Sequence, residues 1–140
     1  MEIQTDISPE LRVLADRELL SRIFGNLLGN SRKYGGKNCM HVRISAEMLH
    51  GMAEIRYADD GAGVPAEQLP RLFDAFYRGD AARTAPGAGS GLGLTVVKNA
   101  VVAMGGSVRA ETASDGGLRI VFTLPAEKEK EKNDARNTDY

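Results

Sequence analysis

Apolar residues at helical spacing define two segments of this 140-residue chain. From Asp16 to Tyr34 they recur every three or four positions and form one helical face, which predicts an amphipathic helix. Asp16 offers a capping oxygen to the first free amides, and Gly35-Gly36 ends the helix because glycine accepts the left-handed cap conformation. A second, strongly apolar helix is predicted over Leu92–Met104, followed by Gly105-Gly106.

Alternating apolar and polar positions predict strands, two pairs of which are joined by short turns. His50-Gly51 turns the first hairpin, and a glycine-containing turn at 114–117 joins the second. Pro65 opens a short helix that reaches Leu72. Because strands and helices are partly segregated, we expect an α+β fold with a mixed, mostly antiparallel sheet and helices on one face. The strand candidates are Leu11–Ala15, Met40–Met48, Met52–Ala58, Ser107–Ala113 and Leu118–Leu124.

Composition and charge exclude several classes of protein. Eighteen basic and 19 acidic residues give a net charge of -1, which argues against an electrostatic nucleic-acid binder. A single cysteine, Cys39, excludes an internal disulfide and a zinc site made of several thiolates. Neither a membrane-length apolar run nor a signal-peptide pattern is visible, so we expect no direct membrane contact of this domain. His41 and His50 are expected to be surface histidines.

The last segment differs from the rest of the chain. Residues 126–140 contain no aliphatic side chain larger than alanine, so they cannot bury enough apolar surface to offset their ordering entropy. We therefore predict one domain over residues 1–125, followed by a disordered charged tail. Residues 77–90, rich in glycine and alanine, are predicted to form a mobile loop.

Three polar side chains lie along one stripe of the first helix. Asn26, Asn30 and Lys33 are displaced by about a quarter turn from its apolar face. An asparagine oxygen suits Mg²⁺, which prefers hard oxygen ligands, and the lysine could contact phosphates beside the ion. The alternative for these three residues is a solvated polar edge.

Two glycine-containing segments are further candidates. Asp59 ends a predicted strand and could accept a hydrogen bond from an exocyclic amine, with Gly61 and Gly63 letting the backbone approach a planar ligand. Gly89–Leu94 opens the second helix, where free amides attract phosphate. The alternatives are an ordinary turn at the first segment and a flexible glycine-rich lid without ligand contact at the second.

An aromatic cluster precedes the predicted mobile loop. Phe73 and Phe76 are expected to form a local hydrophobic plug, whatever else the segment does. Arg78 and Arg83 could reach a phosphate, because a guanidinium matches phosphate with two donors.

In this order and spacing, the four segments resemble the motifs of the ATP-binding catalytic domain of sensor histidine kinases, in the GHKL ATPase superfamily. The resemblance covers about Val13 to Pro125, nearly the whole predicted domain. The matching segments are Asn26–Tyr34 (N box), Asp59 with Gly61 and Gly63 (first glycine box), Leu72–Asp80 (F box) and Gly89–Leu94 (second glycine box).

The resemblance implies a two-layer α/β sandwich with three helices, and ATP held between the helical layer and a lid. By this likeness Asn30 coordinates Mg²⁺, Asn26 supports the phosphate region, and Asp59 binds the adenine amino group. Lys33 and Arg78 contact phosphates. The likeness also assigns the nucleotide site to Tyr34, Gly61, Gly63, Gly89, Gly91, Leu92, Gly93 and Leu94.

Two departures from the family pattern are mild. Ser31 stands where the family usually has alanine, and Asp60 where it often has asparagine. Asp60 would bring a negative charge close to polyphosphate and could weaken ATP binding. A larger departure is that neither histidine lies on a helix, whereas these kinases phosphorylate a histidine on a helical dimerisation domain. We therefore expect a catalytic half, monomeric in isolation and with little turnover, whose partner is that phosphoacceptor domain and, indirectly, a response regulator. The resemblance also implies a cytoplasmic location, either for the domain alone or for the cytoplasmic part of a membrane-anchored kinase.

Other functions remain open at this stage. A GHKL serine kinase of the anti-sigma type would lack the Phe-rich box at 73–78, and ATP-driven clamps need additional domains. A non-catalytic nucleotide-sensing or docking module is the other alternative, against which Asn30, Asp59 and the glycine pairs argue.

Overall fold

The computed structural model describes residues 1–75 and 93–127. Its sheet has the strand order β1-β2-β3-β5-β4; β1 runs parallel to β2, and the other neighbours are antiparallel. Among the described residues, no helix is long and apolar enough to cross a membrane. The elements are β1 (Glu2–Ile7), α1 (Arg17–Tyr34), β2 (His41–Leu49), β3 (Met52–Asp59), a 3-10 helix (Ala66–Arg71), α2 (Gly93–Ala103), β4 (Val108–Thr112) and β5 (Leu118–Pro125).

Helix α1 begins and ends where the sequence predicts. The Asp16 side chain accepts a hydrogen bond from the Leu19 amide at 3.0 Å, which satisfies one of the free donors of the first turn. Arg32 and Lys33 lie in the last turn, where positive charge is favourable. The chain then leaves the helix through Gly36, whose φ is +78°.

The core lies between one face of the sheet and the two α-helices. Alternate residues of the central strands point into it, including Ile55 and Tyr57 of β3 and Phe122 of β5. Phe24 of α1 meets Phe122 edge to face, with ring centroids 6.0 Å apart. The domain is therefore a two-layer α/β sandwich with a mixed, mostly antiparallel sheet, as predicted.

The other face of the sheet carries charged residues in pairs. Arg56 contacts Glu47 and Glu54 at 2.6 Å each, and Arg119 contacts Glu111 at 2.8 Å. These side chains share the face that points away from the helices. The polar positions of the alternating pattern thus form a solvated surface.

The N-terminal segment differs from the prediction. Leu11–Ala15 is not a strand: Val13 makes only an isolated bridge with Ala126. The first strand is Glu2–Ile7, in which every residue is exposed because it is an edge strand beyond the reach of the helices. The prediction relied on buried apolar residues, which this strand lacks. Against the three helices implied by the resemblance, residues 1–75 and 93–127 contain two α-helices and one short 3-10 helix.

The folded region extends slightly past the predicted domain end. Ala126 is buried in the core cluster, and the Glu127 amide donates to the Arg12 carbonyl at 3.1 Å. The remainder of the predicted tail, 128–140, lies outside the described residues, as does the predicted loop at 77–90.

Candidate functional site

Asp59, the last residue of β3, is buried and held by three donors. Its Oδ2 accepts from Ser31 Oγ at 2.8 Å. Its Oδ1 accepts from the Gly61 and Leu118 amides at 3.1 Å each. A carboxylate has about four acceptor positions, so the described donors leave one on Oδ2 for a ligand. The Asp59 carboxylate is therefore fixed in orientation and still able to accept one more hydrogen bond.

Behind Asp59 lies a short buried hydrogen-bond chain. Ser31 Oγ is 2.8 Å from Tyr57 Oη, which also lies 3.1 Å from the Leu27 carbonyl. Because Ser31 donates its one hydroxyl proton to Asp59, the one proton of the Tyr57 hydroxyl is shared between two acceptors, Ser31 Oγ and the Leu27 carbonyl oxygen. Burial raises the pKa of Tyr57 to about 12, so the hydroxyl remains protonated at neutral pH. Ser31, a mild departure from the family pattern, here connects α1 to Asp59.

The glycines after Asp59 occur where backbones meet. A Cβ on Gly61 would lie 2.7 Å from Gly35 Cα at the end of α1. Gly63 has φ +74°, and a Cβ there would overlap the carbonyl oxygen of Gly116. A side chain at position 61 would push the loop away from Gly35, and one at position 63 would push it away from Gly116. The first glycine box thus packs between the end of α1 and the β4–β5 turn.

That β4–β5 turn is a part of the site that the sequence prediction missed. Gly117 lies against Asp59, where a Cβ would overlap the Asp59 carbonyl oxygen, and the next residue, Leu118, donates its amide to the Asp59 side chain. The segment was interpreted only as a hairpin turn. Nothing local in its sequence indicates that it contacts a residue near position 59.

The two asparagines of α1 lie together against the start of α2. A Cβ on Gly93 would be 3.3 Å from Asn30 Oδ1 and 3.5 Å from Asn26 Oδ1. Asn26 Nδ2 donates to the Arg22 carbonyl oxygen at 2.8 Å, so the amide oxygen of Asn26 points away from that hydrogen bond. Glycine at position 93 thus lets the helix approach both amide groups. The N box and Gly93 of the second glycine box, far apart in sequence, meet here.

Other predicted site residues are placed as follows. Lys33 is exposed in the last turn of α1, and Tyr34 beside it is half-buried. Leu94 packs against the core, as does Phe73, whose carbonyl accepts from Thr95 Oγ1 at 3.0 Å. The plug predicted for Phe73 is therefore confirmed. Arg78, Gly89, Gly91 and Leu92 lie outside the described residues, together with Phe76 and Arg83.

Asp60 points away from Asp59 and has its own partners. Its Oδ1 accepts from the His41 amide at 2.8 Å, and its Oδ2 lies 3.0 Å from Lys37 Nζ and 2.9 Å from His41 Nδ1. The His41 amide and the Lys37 ammonium hold the pKa of Asp60 well below its usual range. The Lys37 ammonium therefore offsets the negative charge of Asp60, which was expected to weaken ATP binding.

Comparison with known proteins gives consistent matches. The family model described as "Histidine kinase-, DNA gyrase B-, and HSP90-like ATPase" matches residues 15–128. The signal transduction histidine-protein kinase BaeS of Escherichia coli (strain K12) is 34% identical over 135 residues, which cover 94% of this chain and 28% of BaeS.

Solved structures agree with that match. The mycobacterial sensor histidine kinase MprB has a TM-score of 0.77 and 29% identity, covering 90% of this chain and 84% of the MprB chain. Full-length ShkA in complex with AMPPNP has a TM-score of 0.72 and 30% identity, covering 91% of this chain and 26% of ShkA. The chain thus spans less than a third of BaeS and of ShkA.

Proposed function

Because the chain belongs to the histidine kinase-, DNA gyrase B- and HSP90-like ATPase family, as a catalytic ATP-binding domain of the sensor histidine kinase type, we propose that it binds Mg-ATP and donates the γ-phosphoryl group to a histidine on a separate domain. The observation that carries the proposal is the anchored, buried Asp59 with one acceptor position left.

Asp59 is suited to recognise adenine. The exocyclic amine of adenine is a donor, and guanine has a carbonyl oxygen at the same ring position. Against a fixed carboxylate that only accepts, adenine gains a charge-assisted hydrogen bond and guanine meets a second acceptor. Because three donors hold Asp59, it cannot turn away to avoid that contact.

Asn30 fits a magnesium site. Its amide oxygen is a hard ligand of the kind that Mg²⁺ takes, usually with several waters and substrate phosphates. Asn30 would hold the ion, and Lys33, exposed one turn further along α1, would reach a phosphate. The ion would neutralise charge on the β- and γ-phosphates. Gly93 allows α2 to begin directly above Asn26 and Asn30, where its N-terminal amides favour phosphate.

The phosphate acceptor must come from elsewhere. His41 lies on the face of the sheet opposite the helices, and His50 forms the β2–β3 turn. In the proposed step, a ring nitrogen of an incoming histidine forms a bond to the γ-phosphorus, the bond to the bridging oxygen breaks, and ADP leaves. We propose that this histidine belongs to a dimerisation domain, that a response regulator receives the phosphoryl group next, and that the reaction is cytoplasmic.

Nucleotide binding is tested by calorimetry with AMPPNP and its guanine counterpart, each with and without Mg²⁺. We expect the wild type to prefer the adenine analogue and Asp59→Asn to lose about tenfold or more in affinity, since a hydrogen bond to a charged group contributes about 1.5–3 kcal/mol. Asp6→Asn, the same change on exposed β1, is the matched control. Equal affinity of the wild type for both analogues would contradict the role of Asp59.

The metal assignment is tested by Asn30→Asp, with Asn99→Asp on the exposed side of α2 as its control. Without Mg²⁺, a carboxylate at position 30 repels the phosphates and weakens nucleotide binding. With Mg²⁺, the same carboxylate attracts the ion. The ratio of affinities with and without Mg²⁺ should therefore rise at position 30 and stay constant at position 99. An unchanged ratio in Asn30→Asp would remove Asn30 from the metal site.

Phosphotransfer is tested by adding a separate histidine-bearing helical domain and ATP. Acid-labile phosphate on that domain supports the proposal. Acid-stable phosphoserine would instead indicate a serine kinase, and nucleotide binding without transfer to any partner would indicate a sensing module.

A further inference from the structure

A second cluster of ligand-type side chains lies on the opposite face of the sheet from the helices. Glu2 and His41 are register partners of the parallel pair β1 and β2, and the Glu2 amide donates to the Met40 carbonyl at 2.8 Å. Met40 is buried, so its neighbours in sequence, Cys39 and His41, both point to the outer side. The register thus brings a carboxylate, a thiol and an imidazole together.

The distances between these groups suit a single ion. A carboxylate oxygen of Glu2, Cys39 Sγ and a ring nitrogen of His41 all lie within 4.8 Å of one another. In a tetrahedral zinc site, bond lengths of about 2.0–2.3 Å put the ligand atoms about 3.5 Å apart. All three side chains are exposed, so small rotations can bring their ligand atoms to that separation.

We propose that Glu2, Cys39 and His41 form a binding site for a divalent transition-metal ion of the zinc type, with water completing the coordination. One sulfur, one nitrogen and one oxygen ligand match Zn²⁺, whereas Mg²⁺ prefers an all-oxygen shell. Three protein ligands leave a position open to solvent. The site lies on the other side of the sheet from Asn30 and is independent of the proposed ATP site.

Asp60 is the positioning residue of this site. Its Oδ2 lies 2.9 Å from His41 Nδ1, while His41 Nε2 points to Glu2 Oε2, also at 2.9 Å. Metal-ligating histidines almost always have their other ring nitrogen bonded to a carboxylate or carbonyl, which sets the ring orientation. With Nδ1–H donating to Asp60, Nε2 faces the Glu2 carboxylate, and a metal ion bound to both groups would take the place of a proton between them.

The local charge also favours a cation. Glu2, Asp60 and a metal-bound Cys39 thiolate carry three negative charges, and Lys37 contributes one positive charge at 3.0 Å from Asp60. A divalent ion would offset the remaining excess. It would also fasten the exposed edge strand β1 to the segment before β2, which gives metal binding a readout in stability.

The experiment titrates the metal-free chain with Zn²⁺ by calorimetry, and with Co²⁺ by absorption. We expect a single ion per chain, a thiolate-to-cobalt charge-transfer band, and a higher melting temperature with Zn²⁺. Glu2→Gln, Cys39→Ser and His41→Gln should each weaken binding at least tenfold, and Cys39→Ser should abolish the band. Asp60→Asn should weaken binding about 10- to 100-fold and leave the band in place at saturating Co²⁺.

The matched control is His50→Asn, at the other histidine; asparagine tolerates the φ of +54° found there. It should bind Zn²⁺ as the wild type does. Circular dichroism of each variant checks that the exposed substitution leaves the fold intact. Absence of Zn²⁺ binding by the folded wild type would overturn the proposal. So would binding that survives in both Cys39→Ser and His41→Gln, or that is lost in His50→Asn.

Discussion

Two glycines with the same unusual backbone conformation allow a test of how tightly the loop after Asp59 is packed. Gly63 has φ +74° and Gly51 has φ +79°. A Cβ on Gly51 would meet nothing within 4 Å, whereas a Cβ on Gly63 would overlap the Gly116 carbonyl oxygen. Gly51→Ala therefore measures the conformational cost alone, and Gly63→Ala measures that cost together with the close approach of two backbones.

The expected magnitudes follow from these two contributions. An L-residue in the left-handed region costs about 1–2 kcal/mol, which both variants share. Overpacking costs about 1–3 kcal/mol more, and here the obstacle is a backbone oxygen that cannot rotate away. We therefore expect Gly51→Ala to lower the free energy of unfolding by about 1–2 kcal/mol and Gly63→Ala by about 2–5 kcal/mol.

Urea denaturation followed by far-UV circular dichroism measures both values, with an unchanged m-value as the check that each variant unfolds from the same state. Displacing the turn at Gly116 would also move the Leu118 amide away from Asp59. Gly63→Ala should therefore bind AMPPNP more weakly than Gly51→Ala. If Gly63→Ala costs no more stability than Gly51→Ala, the loop does not pack on the turn as described.

Two predictions concern the hydrogen bonds behind Asp59. Ser31→Ala should lower the free energy of unfolding by about 1–2.5 kcal/mol and Tyr57→Phe by about 0.5–1.5 kcal/mol in urea denaturation. The double variant should cost less than the sum, and strict additivity would contradict the shared hydrogen bond. Because burial raises the pKa of Tyr57 to about 12, its contribution to stability is full below about pH 10 and lost as pH rises from there to about 12. The wild type should therefore lose stability relative to Tyr57→Phe in that range, and parallel stability curves would contradict the raised pKa.

The sequence predicts those elements whose apolar residues repeat with the period of their structure. Helix α1 and both hairpins are examples, because one face of each packs into the core. Strand β1 lacks that signal, since all its residues are exposed and, within residues 1–75 and 93–127, β2 is the one strand with which it pairs. Its position could not be derived from a burial pattern.

Only some of the contacts around Asp59 could be expected from the sequence, because a sequence shows local motifs and not the contacts between distant segments. Asp59 and the glycines after it form a recognisable local motif. Their supports are distant in sequence: Ser31 is 28 residues from Asp59, and Leu118 is 59 residues away. Only the folded chain shows that these groups meet, because α1 and the β4–β5 turn approach the end of β3 from different sides.

The same segment of backbone is fastened on both faces of the sheet. On the helix side, Asp59 is held by Ser31 from α1 and by the Leu118 amide from β5. On the outer side, the next residue, Asp60, is held by the His41 amide and by Lys37. Consecutive side chains that anchor to opposite faces fix the direction of the peptide between them. The carboxylate proposed to recognise adenine is thus oriented during folding, so binding at that end of the nucleotide carries little further ordering cost.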